Sequence, residues 1–196
     1  MLKLQTLTLG NYQTNCYIVY EENTKTCVVI DPGYQPEAIL QALEKLGLSL
    51  EAILLTHGHF DHVGGVKILA ADTGCRVYLP AEDLSLPEML TAGPLFYTDT
   101  YENNSSLSFA GLNFRVLHTP GHTPGSVCLI CEKHIFSGDT LFAGSCGRTD
   151  LPGGDWTSIR KSLLTLQQLE GEFAIHPGHG ESTTLALEKQ YNPYMQ

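Results

Sequence analysis

The chain has 196 residues, 42% hydrophobic and 16% charged, proportions that are ordinary for a single globular domain, which we place at residues 1–196. Its formal net charge of −10 and its pI near 5.1 argue against a nucleic-acid or anionic-membrane partner, because both bind basic surfaces. The first 20 residues contain one lysine, no arginine and no continuous apolar segment, so we expect no secretory signal and a cytoplasmic protein.

The elements predicted for the first half begin with a strand at 2–9, where polar and apolar residues alternate. A helix is predicted at 36–46, since apolar residues recur at helical spacing and Gly47 follows as a terminator. The other elements of this half are strands at 16–20, 27–33, 52–56 and 76–80 and a helix at 66–74. Residues 84–104 have no clean period, two prolines and three aromatics, which predicts a long surface loop or lid.

The second half repeats this alternation of strands and helices. Strands are predicted at 114–120, 125–131, 134–140 and 173–180, and helices at 155–169 and 183–191. Asp155 is a suitable N-cap for the first of these helices. Two similar α/β halves indicate sheets packed against each other with helices outside.

Six cysteines are expected to be free thiols, because a cytoplasmic protein seldom forms disulfides. Cys128 and Cys131 form a CxxC, but they lie on a predicted strand. Residues three apart on a strand face opposite sides, so we expect no shared metal at this pair.

Three histidines and an aspartate fall within six consecutive residues of THGHFDHVGG, residues 56–65: His57, His59, Asp61 and His62. A helix would not place His57 and His59 on one face, because residues two apart point to opposite sides. The apolar run before them predicts instead a loop at a strand end, where both rings can face one cavity. Glycines in the segment let the backbone turn so that the other two side chains face the same cavity.

Imidazole and carboxylate groups are ligands for zinc, iron and manganese, so this segment predicts a metal site. Four candidate ligands are too many for one catalytic zinc that keeps an open position, but two ions would use them if more ligands came from elsewhere. Three further candidates lie beside glycines at predicted strand ends: His122, Asp139 and His179. We therefore expect two divalent ions, with zinc as the first choice and iron or manganese as alternatives.

Taken in order, THGHFDHVGG, HTPGHTPGS, SGDTLF and PGHG resemble the motifs of the metallo-β-lactamase superfamily over nearly the whole chain. The resemblance implies an α/β fold, the αββα sandwich, in which two mixed β-sheets carry helices on their outer faces and the metals lie at one edge. The implied ligands are His57, His59 and His122 for the first metal, Asp61, His62 and His179 for the second, and Asp139 as the bridge.

Two ions about 3.5–4 Å apart share a water, lower its pKa towards neutrality and present a hydroxide to a carbonyl carbon. Asp61, as a ligand and hydrogen-bond acceptor, would orient that hydroxide, and Asp139 would hold both ions. These two carboxylates are therefore the predicted catalytic residues. No serine or cysteine nucleophile is required, and Cys146 is interpreted as a loop residue.

Within the superfamily, the chain is most similar to the glyoxalase II group, which hydrolyses S-2-hydroxyacylglutathione, a small-molecule thioester. After His179 we expect only a closing helix and a short tail, without the helical domain that grips glutathione in the full-length enzymes. The chain thus resembles the short, single-domain glyoxalase II-like hydrolases of bacteria. Exported β-lactamases lack the bridging aspartate and tRNA-processing nucleases carry a basic extension, so we expect neither role.

The alternative is the persulfide dioxygenase group, which shares the fold and a CGRTD stretch but uses one iron. By this resemblance the iron would be held by His57, His122 and Asp139. The LPGGD sequence at 151–155 favours the short hydrolases. The acyl group, the thiol carrier and the oligomeric state stay open at this point.

Arg148 lies in GSCGRTD, a short loop after the bridging aspartate, and is the predicted substrate-binding residue. Its guanidinium suits a substrate carboxylate through paired hydrogen bonds. The alternative is a structural arginine that ties the loop to Asp150 or Asp155.

Three histidines stand outside the ligand set. His118 and His176 precede ligand positions in HTPGH and HPGH, and we interpret them as packed residues or as residues that orient the ligands. His134 is interpreted as a solvated residue of a hairpin turn.

Overall fold

A computed structural model describes residues 1–196, whose strands form two six-stranded sheets and one two-stranded ribbon. The first sheet contains β1 (Leu2–Leu9), β2 (Thr14–Glu21), β3 (Thr26–Ile30), β4 (Ser49–Leu54), β5 (Arg76–Leu79) and β6 (Asp99–Thr100). The second contains β7 (Ser106–Phe109), β8 (Leu112–His118), β9 (Val127–Cys131), β10 (His134–Gly138), β13 (Ala174–Pro177) and β14 (Thr183–Thr184). The ribbon pairs β11 (Leu141–Phe142) with β12 (Ser145–Cys146). The helices are α1 (Pro36–Leu46), α2 (Phe60–Val63), α3 (Val66–Thr73), α4 (Glu88–Thr91), α5 (Trp156–Gln167) and α6 (Leu185–Tyr191).

Both sheets are mixed. In the first, β1 to β3 form an antiparallel meander and β3 to β6 run parallel. In the second, β7 to β10 are antiparallel, β10 and β13 are parallel, and β14 is an antiparallel edge strand. Parallel neighbours need a crossover, and α1, α3 and α5 lie in the connections from β3 to β4, β4 to β5 and β10 to β13.

Three hydrophobic layers hold the sheets and helices together. Between the two sheets lie 17 buried residues, with Val28 and Leu54 from the first sheet meeting Phe114 and Phe136 from the second. The outer face of the first sheet packs against α1 and α3 through a cluster of 16 buried residues. The outer face of the second sheet packs against α5 and α6 through a cluster of 10. This order of layers confirms the predicted αββα sandwich.

The helices with the clearest sequence signals form where they are predicted. Helix α1 has the predicted bounds, with a proline at its start and Gly47 in a left-handed conformation, φ 64°, at its end. Asp155 caps α5, since its Oδ1 accepts a 2.7 Å hydrogen bond from the Ser158 N–H. None of the helices combines the length and the apolar character that crossing a membrane requires.

The prediction of a long loop at 84–104 is wrong in part. The segment contains α4, and β6 pairs in parallel with the end of β5. A two-residue strand is too short to show a periodic pattern in the sequence. It forms here because the Arg76–Leu79 strand has a free edge with which it can pair. Arg76 also binds Asp99 through two hydrogen bonds and so holds this edge strand in place.

The closing helix is shorter than predicted, because Thr183 and Thr184 pair with β13 as an edge strand before the helix begins at Leu185. The hydroxyl of Thr184 then accepts a 3.2 Å hydrogen bond from the Leu187 N–H as an N-cap. The strands β7, β11, β12 and β14 were not predicted, since each has only two to four residues.

All six cysteines are free thiols, as predicted. Cys128 and Cys131 are both buried but belong to different layers, the outer core of the second sheet and the core between the sheets. Their side chains therefore face opposite sides of β9, as the strand spacing predicts.

Candidate metal centre

The seven predicted ligands meet at one edge of the sandwich, where strands of both sheets end. His57 and His59 follow β4, His122 follows β8, and Asp139 and His179 follow β10 and β13. The two sheets are tied together here, because the Thr56 carbonyl accepts a 2.9 Å hydrogen bond from the Val127 N–H. Loops from both halves of the chain thus open into one space.

Three histidines form the first group, His57, His59 and His122, whose nearest nitrogen atoms lie within 4.8 Å of one another. All three side chains are buried. His59 Nδ1 and His122 Nε2 are 2.9 Å apart, so these two ring nitrogens face each other. Burial lowers the pKa of His59 to about 4, with the neighbouring His122 adding to the effect, so the ring is held in the neutral form that binds metals.

Asp61, His62 and His179 form the second group. Asp61 and His62 lie on the short helix α2, where the predicted loop turns helical directly after His59. Asp61 Oδ2 is 3.2 Å from His179 Nε2 and 3.7 Å from His62 Nε2. Burial by itself raises the pKa of the Asp61 carboxyl, but the contact with His179 and the charge of His62 outweigh it, so the pKa lies below its ordinary value.

Asp139 lies between the two groups. One carboxylate oxygen, Oδ1, is 3.4 Å from His62 Nε2, and the other, Oδ2, is 3.5 Å from His122 Nε2 and 3.6 Å from His179 Nε2. Asp139 therefore contacts members of both groups, which is the position that the family resemblance implies for a bridging carboxylate.

Three side-chain atoms of these groups are buried and have no hydrogen-bond partner: His57 Nε2, His59 Nε2 and Asp139 Oδ1. A buried polar atom without a partner costs roughly 1–3 kcal/mol, so such atoms mark a missing ligand or a strained site. Five imidazoles and two carboxylates match the donors that zinc, iron and manganese accept. The residues present therefore fit divalent metal ions.

Hydrogen bonds behind the rings determine which nitrogen faces the centre. His122 Nδ1 donates to the Arg148 carbonyl at 2.8 Å, and His179 Nδ1 donates to the Tyr12 carbonyl at 3.0 Å. His62 Nδ1 lies 2.9 Å from Asp31 Oδ2. In each of these rings Nε2 remains directed at the centre, and such outer contacts commonly set the orientation of metal ligands.

Asp31 and Asp83 are two buried carboxylates of the site that the sequence reasoning missed. Asp31 accepts hydrogen bonds from the N–H and the hydroxyl of Thr56 at 2.7 and 2.6 Å, besides its contact with His62. Asp31 stands in the turn sequence DPG, and Asp83 lies between the predicted strand 76–80 and the predicted loop 84–104, so neither had a pattern of its own. Their partners are distant along the chain, and only folding brings them together.

Above the two groups is an open cavity of about 560 Å³. Five side chains form its apolar wall, Tyr12, Phe60, Leu90, Phe142 and Leu151, and we call them the apolar wall below. The Tyr12 ring packs edge-on against Phe60 at a centroid distance of 5.1 Å, and the Phe142 ring lies 6.3 Å from that of His179. Cys146 also lines the cavity as a half-buried free thiol.

Arg148 lines the same cavity, but its guanidinium is engaged. Nε and one terminal nitrogen donate to the two carboxylate oxygens of Asp150 at 2.7 and 2.8 Å. Of the two roles that the sequence left open for Arg148, this pairing favours the structural tie to Asp150. The backbone carbonyl of Arg148 additionally holds His122.

The three remaining histidines do not reach the centre. His118 Nε2 donates to the Pro124 carbonyl at 2.9 Å and so braces the loop that carries His122. His176 is buried, and its ring contacts His134 and the Ser182 hydroxyl. The prediction of a solvated His134 is wrong, because its ring lies on β10, stacks on His176 and is half-buried.

Comparisons with known proteins agree with this architecture. The family model described as "Metallo-beta-lactamase superfamily" matches residues 9–179. The chain is 37% identical to hydroxyacylglutathione hydrolase GloC of Haemophilus influenzae, over 99% of this chain and 98% of that protein.

Three solved structures have the same fold, each with a TM-score of 0.87. A di-iron-bound form of TTHA1623 is 41% identical and covers 97% of this chain and 99% of its own. The BLEG-1 B3 metallo-beta-lactamase is 38% identical and covers 100% of both chains. ETHE1 from Myxococcus xanthus is 29% identical and covers 97% of this chain and 83% of its own.

Proposed function

Because this chain belongs to the metallo-β-lactamase superfamily, we propose that it is a glyoxalase II-like hydrolase that cleaves a thioester such as S-2-hydroxyacylglutathione. The coarser assignment, a metal-dependent hydrolase, rests on the family match and on the similarity to GloC. The thioester is supported by the name of that relative, and a small-molecule substrate suits a cavity of about 560 Å³.

We assign His57, His59 and His122 to one divalent ion and Asp61, His62 and His179 to a second, with Asp139 shared. When bound there, such ions supply Lewis acidity that polarises a carbonyl and acidifies water. We propose that both ions are zinc. Iron is the alternative that metal analysis should test, because the TTHA1623 neighbour is di-iron-bound.

Asp61 and Asp139 are the proposed catalytic residues. Asp61 Oδ2 accepts a 3.2 Å hydrogen bond from the Thr14 hydroxyl, which fixes the carboxylate beside the cavity. An oriented carboxylate there can accept a proton from an attacking water, and general-base catalysis requires an acceptor within hydrogen-bond reach. Asp139 holds the histidines of the two groups around one point and so sets the spacing of the site.

The observation that carries the proposal is the position of Asp139 between two complete ligand groups, 3.4 to 3.6 Å from their ring nitrogens. A site for one ion would use about four ligands, whereas seven converge here. Two-ion sites of this kind serve hydrolytic reactions in which water attacks a carbonyl or phosphoryl centre.

The test is a side-by-side assay on one metal-analysed preparation. We expect loss of the thioester S-D-lactoylglutathione and no oxygen uptake with glutathione persulfide. A β-lactam is included as a third substrate, because the BLEG-1 neighbour is named a B3 metallo-beta-lactamase. Opening of the β-lactam without thioester loss would contradict the proposal.

The second candidate function is a persulfide dioxygenase that uses one iron held by His57, His122 and Asp139. The observation that favours it is the 29% identity to the ETHE1 structure. Oxygen uptake with persulfide, one iron per chain and an active Asp61→Ala variant would together select this candidate. Two ions per chain and an inactive Asp61→Ala variant would select the hydrolase.

A further inference from the structure

The cavity above the metal-ligand groups has an apolar wall, whereas the groups themselves consist of imidazoles and carboxylates. Its apolar wall is built by residues from five separate segments of the chain, so it is a product of the fold and not of one hydrophobic stretch. Tyr12 is 58% exposed although its ring packs on Phe60, and Phe60 and Phe142 are half-buried. Aromatic faces left partly open beside a reactive centre are typical of surfaces that bind an apolar ligand.

Outside the metal-ligand groups, the cavity offers little positive charge to an anionic ligand. Its carboxylates are Asp61 and Asp139, and its only lysine or arginine is Arg148. The guanidinium of Arg148 is already bonded to both oxygens of Asp150, and the pKa of Arg148 is raised by that partner. The pair is neutral as a whole, so outside the metal-ligand groups no unpaired lysine or arginine of the cavity is available to a substrate carboxylate.

Glutathione carries two carboxylates and one ammonium group at neutral pH. A carboxylate that loses its water without gaining a cationic partner is unfavourable, so the glutathionyl part of a thioester finds no specific attachment in this cavity. An apolar acyl group gains instead, because contact with the apolar wall removes hydrocarbon surface from water.

We propose that this site selects its substrate by the acyl group, and that it takes thioesters of apolar, in particular aromatic, acyl groups on an uncharged thiol. This specificity rests on the proposed thioester hydrolysis. The wall would hold the acyl side chain, with Phe142 beside the metal-ligand groups, its ring centroid 6.3 Å from that of His179. The thiol would point to the open mouth, where Arg148 and Asp150 form a closed ion pair.

The experiment combines two acyl groups with two thiols on the metal-loaded protein. Lactoyl and mandeloyl groups share the 2-hydroxyacyl core and differ in one phenyl ring, and each is attached to glutathione or to uncharged N-acetylcysteamine. We expect the mandeloyl thioesters to have a kcat/KM about tenfold higher on either thiol, since a phenyl ring contributes about that factor when it is partly buried. For each acyl group, the KM of the glutathione thioester should be no lower than that of the N-acetylcysteamine thioester.

Binding of uncleaved analogues separates this inference from the proposed function. S-Benzyl-N-acetylcysteamine is titrated calorimetrically against S-methyl-N-acetylcysteamine and S-methylglutathione, and tighter binding of the benzyl thioether is expected whether or not any thioester is cleaved. Cleavage of none of the four thioesters, with the benzyl preference intact, would reject the hydrolase while keeping the apolar specificity.

Phe142→Ala should remove most of the benzyl preference and leave S-methylglutathione binding unchanged. The matched control is Phe96→Ala, because Phe96 is 41% exposed and does not line this cavity, although its own neighbouring cavity shares Phe60. Any one of three results would overturn the inference. The first is a higher kcat/KM for the lactoyl thioesters, and the second is a KM for the glutathione thioesters about tenfold below that for the N-acetylcysteamine thioesters. The third is an equal loss of the benzyl preference in the Phe142→Ala and Phe96→Ala variants.

Discussion

The carboxylate of Asp83 accepts a 2.7 Å hydrogen bond from the backbone N–H of Gly58, the residue between His57 and His59. The same carboxylate accepts hydrogen bonds from the Gly125 N–H at 2.7 Å and from the Thr123 hydroxyl at 2.9 Å, both just after His122. One buried side chain thus joins the two loops that carry the first histidine group. Burial raises the pKa of this carboxyl, although all three hydrogen bonds favour its charged form.

Asp83→Ala is expected to weaken metal binding, because two buried N–H groups lose their acceptor and the loops lose their common anchor. A loss of roughly 10–100-fold in metal affinity is typical for a residue that orients ligands without touching the metal. Competition with a chromogenic chelator measures it, and the neighbouring exposed Glu82→Ala serves as the control. Unchanged affinity in the Asp83 variant would mean that the loops are held without it.

Metal content tests the assignment of Asp139. Protein purified without chelators should contain close to two divalent ions per chain, since two ligand groups converge on this carboxylate. Asp139→Asn should lower the content of both sites, because the amide carries no negative charge. Elemental analysis measures the content, with the exposed-residue variant Asp72→Asn as the control. A loss confined to one ion would reject the bridging role.

Cys146→Ser should retain most of the hydrolase activity. The thiol lines the cavity, but burial raises its pKa, so it is present as the weakly nucleophilic thiol at neutral pH. The measurement is kcat/KM for a thioester together with metal content. Loss of activity with full metal content would point to thiol chemistry.

Because Arg148 and Asp150 form an ion pair, we expect alanine substitutions at the two residues to affect the KM differently. Arg148→Ala should change the KM for S-D-lactoylglutathione little, because the guanidinium is already occupied by Asp150. Asp150→Ala should release the guanidinium and lower that KM about threefold, as an exposed charge contact contributes only modestly. Steady-state kinetics of the two variants measure both effects. A large rise of KM in Arg148→Ala would restore the predicted substrate-binding role.

The buried ring of His176 should make the free energy of unfolding depend on pH. Burial lowers its pKa to about 4, with His134 adding to the effect, against an ordinary value of 6.5. Between pH 6.5 and 4, the unfolded chain therefore binds a proton at His176 that the folded chain does not bind. The contribution of the neutral His176 ring to the free energy of unfolding is complete above about pH 6.5 and is lost as the pH falls towards 4.

His176→Phe retains an aromatic ring against Phe136 and removes this proton. Between pH 6.5 and 4 its free energy of unfolding in urea should fall less steeply than that of the wild type, by up to about 1.4 kcal/mol per pH unit. Ser182→Ala removes a hydrogen-bond partner of the ring but keeps the titrating group, so it should retain the wild-type slope. Equal slopes in His176→Phe and the wild type would contradict the assignment.

Elements whose signals lie within a few residues could be predicted from the sequence. Helix α1 contains its own apolar spacing, its proline and its terminating glycine, and α5 contains its cap at Asp155. Five of the candidate ligands belong to the same class, since each follows a strand and stands beside glycine: His57, His59, His122, Asp139 and His179. By contrast, the edge strand β6 could not be predicted, because two residues become a strand only where another strand leaves an edge free.

The sequence by itself determined the chemistry that this chain can offer: seven imidazole and carboxylate groups in four short motifs, and two halves that each build a sheet. Only the tertiary structure decided how that chemistry is held. The contact of Asp83 with Gly58, the pairing of Arg148 with Asp150 and the stacking of His134 on His176 depend on which loops and strands meet. Side-chain type is a property of each residue, whereas a hydrogen-bond partner is selected by the packing of the sheets, and no local pattern encodes that choice.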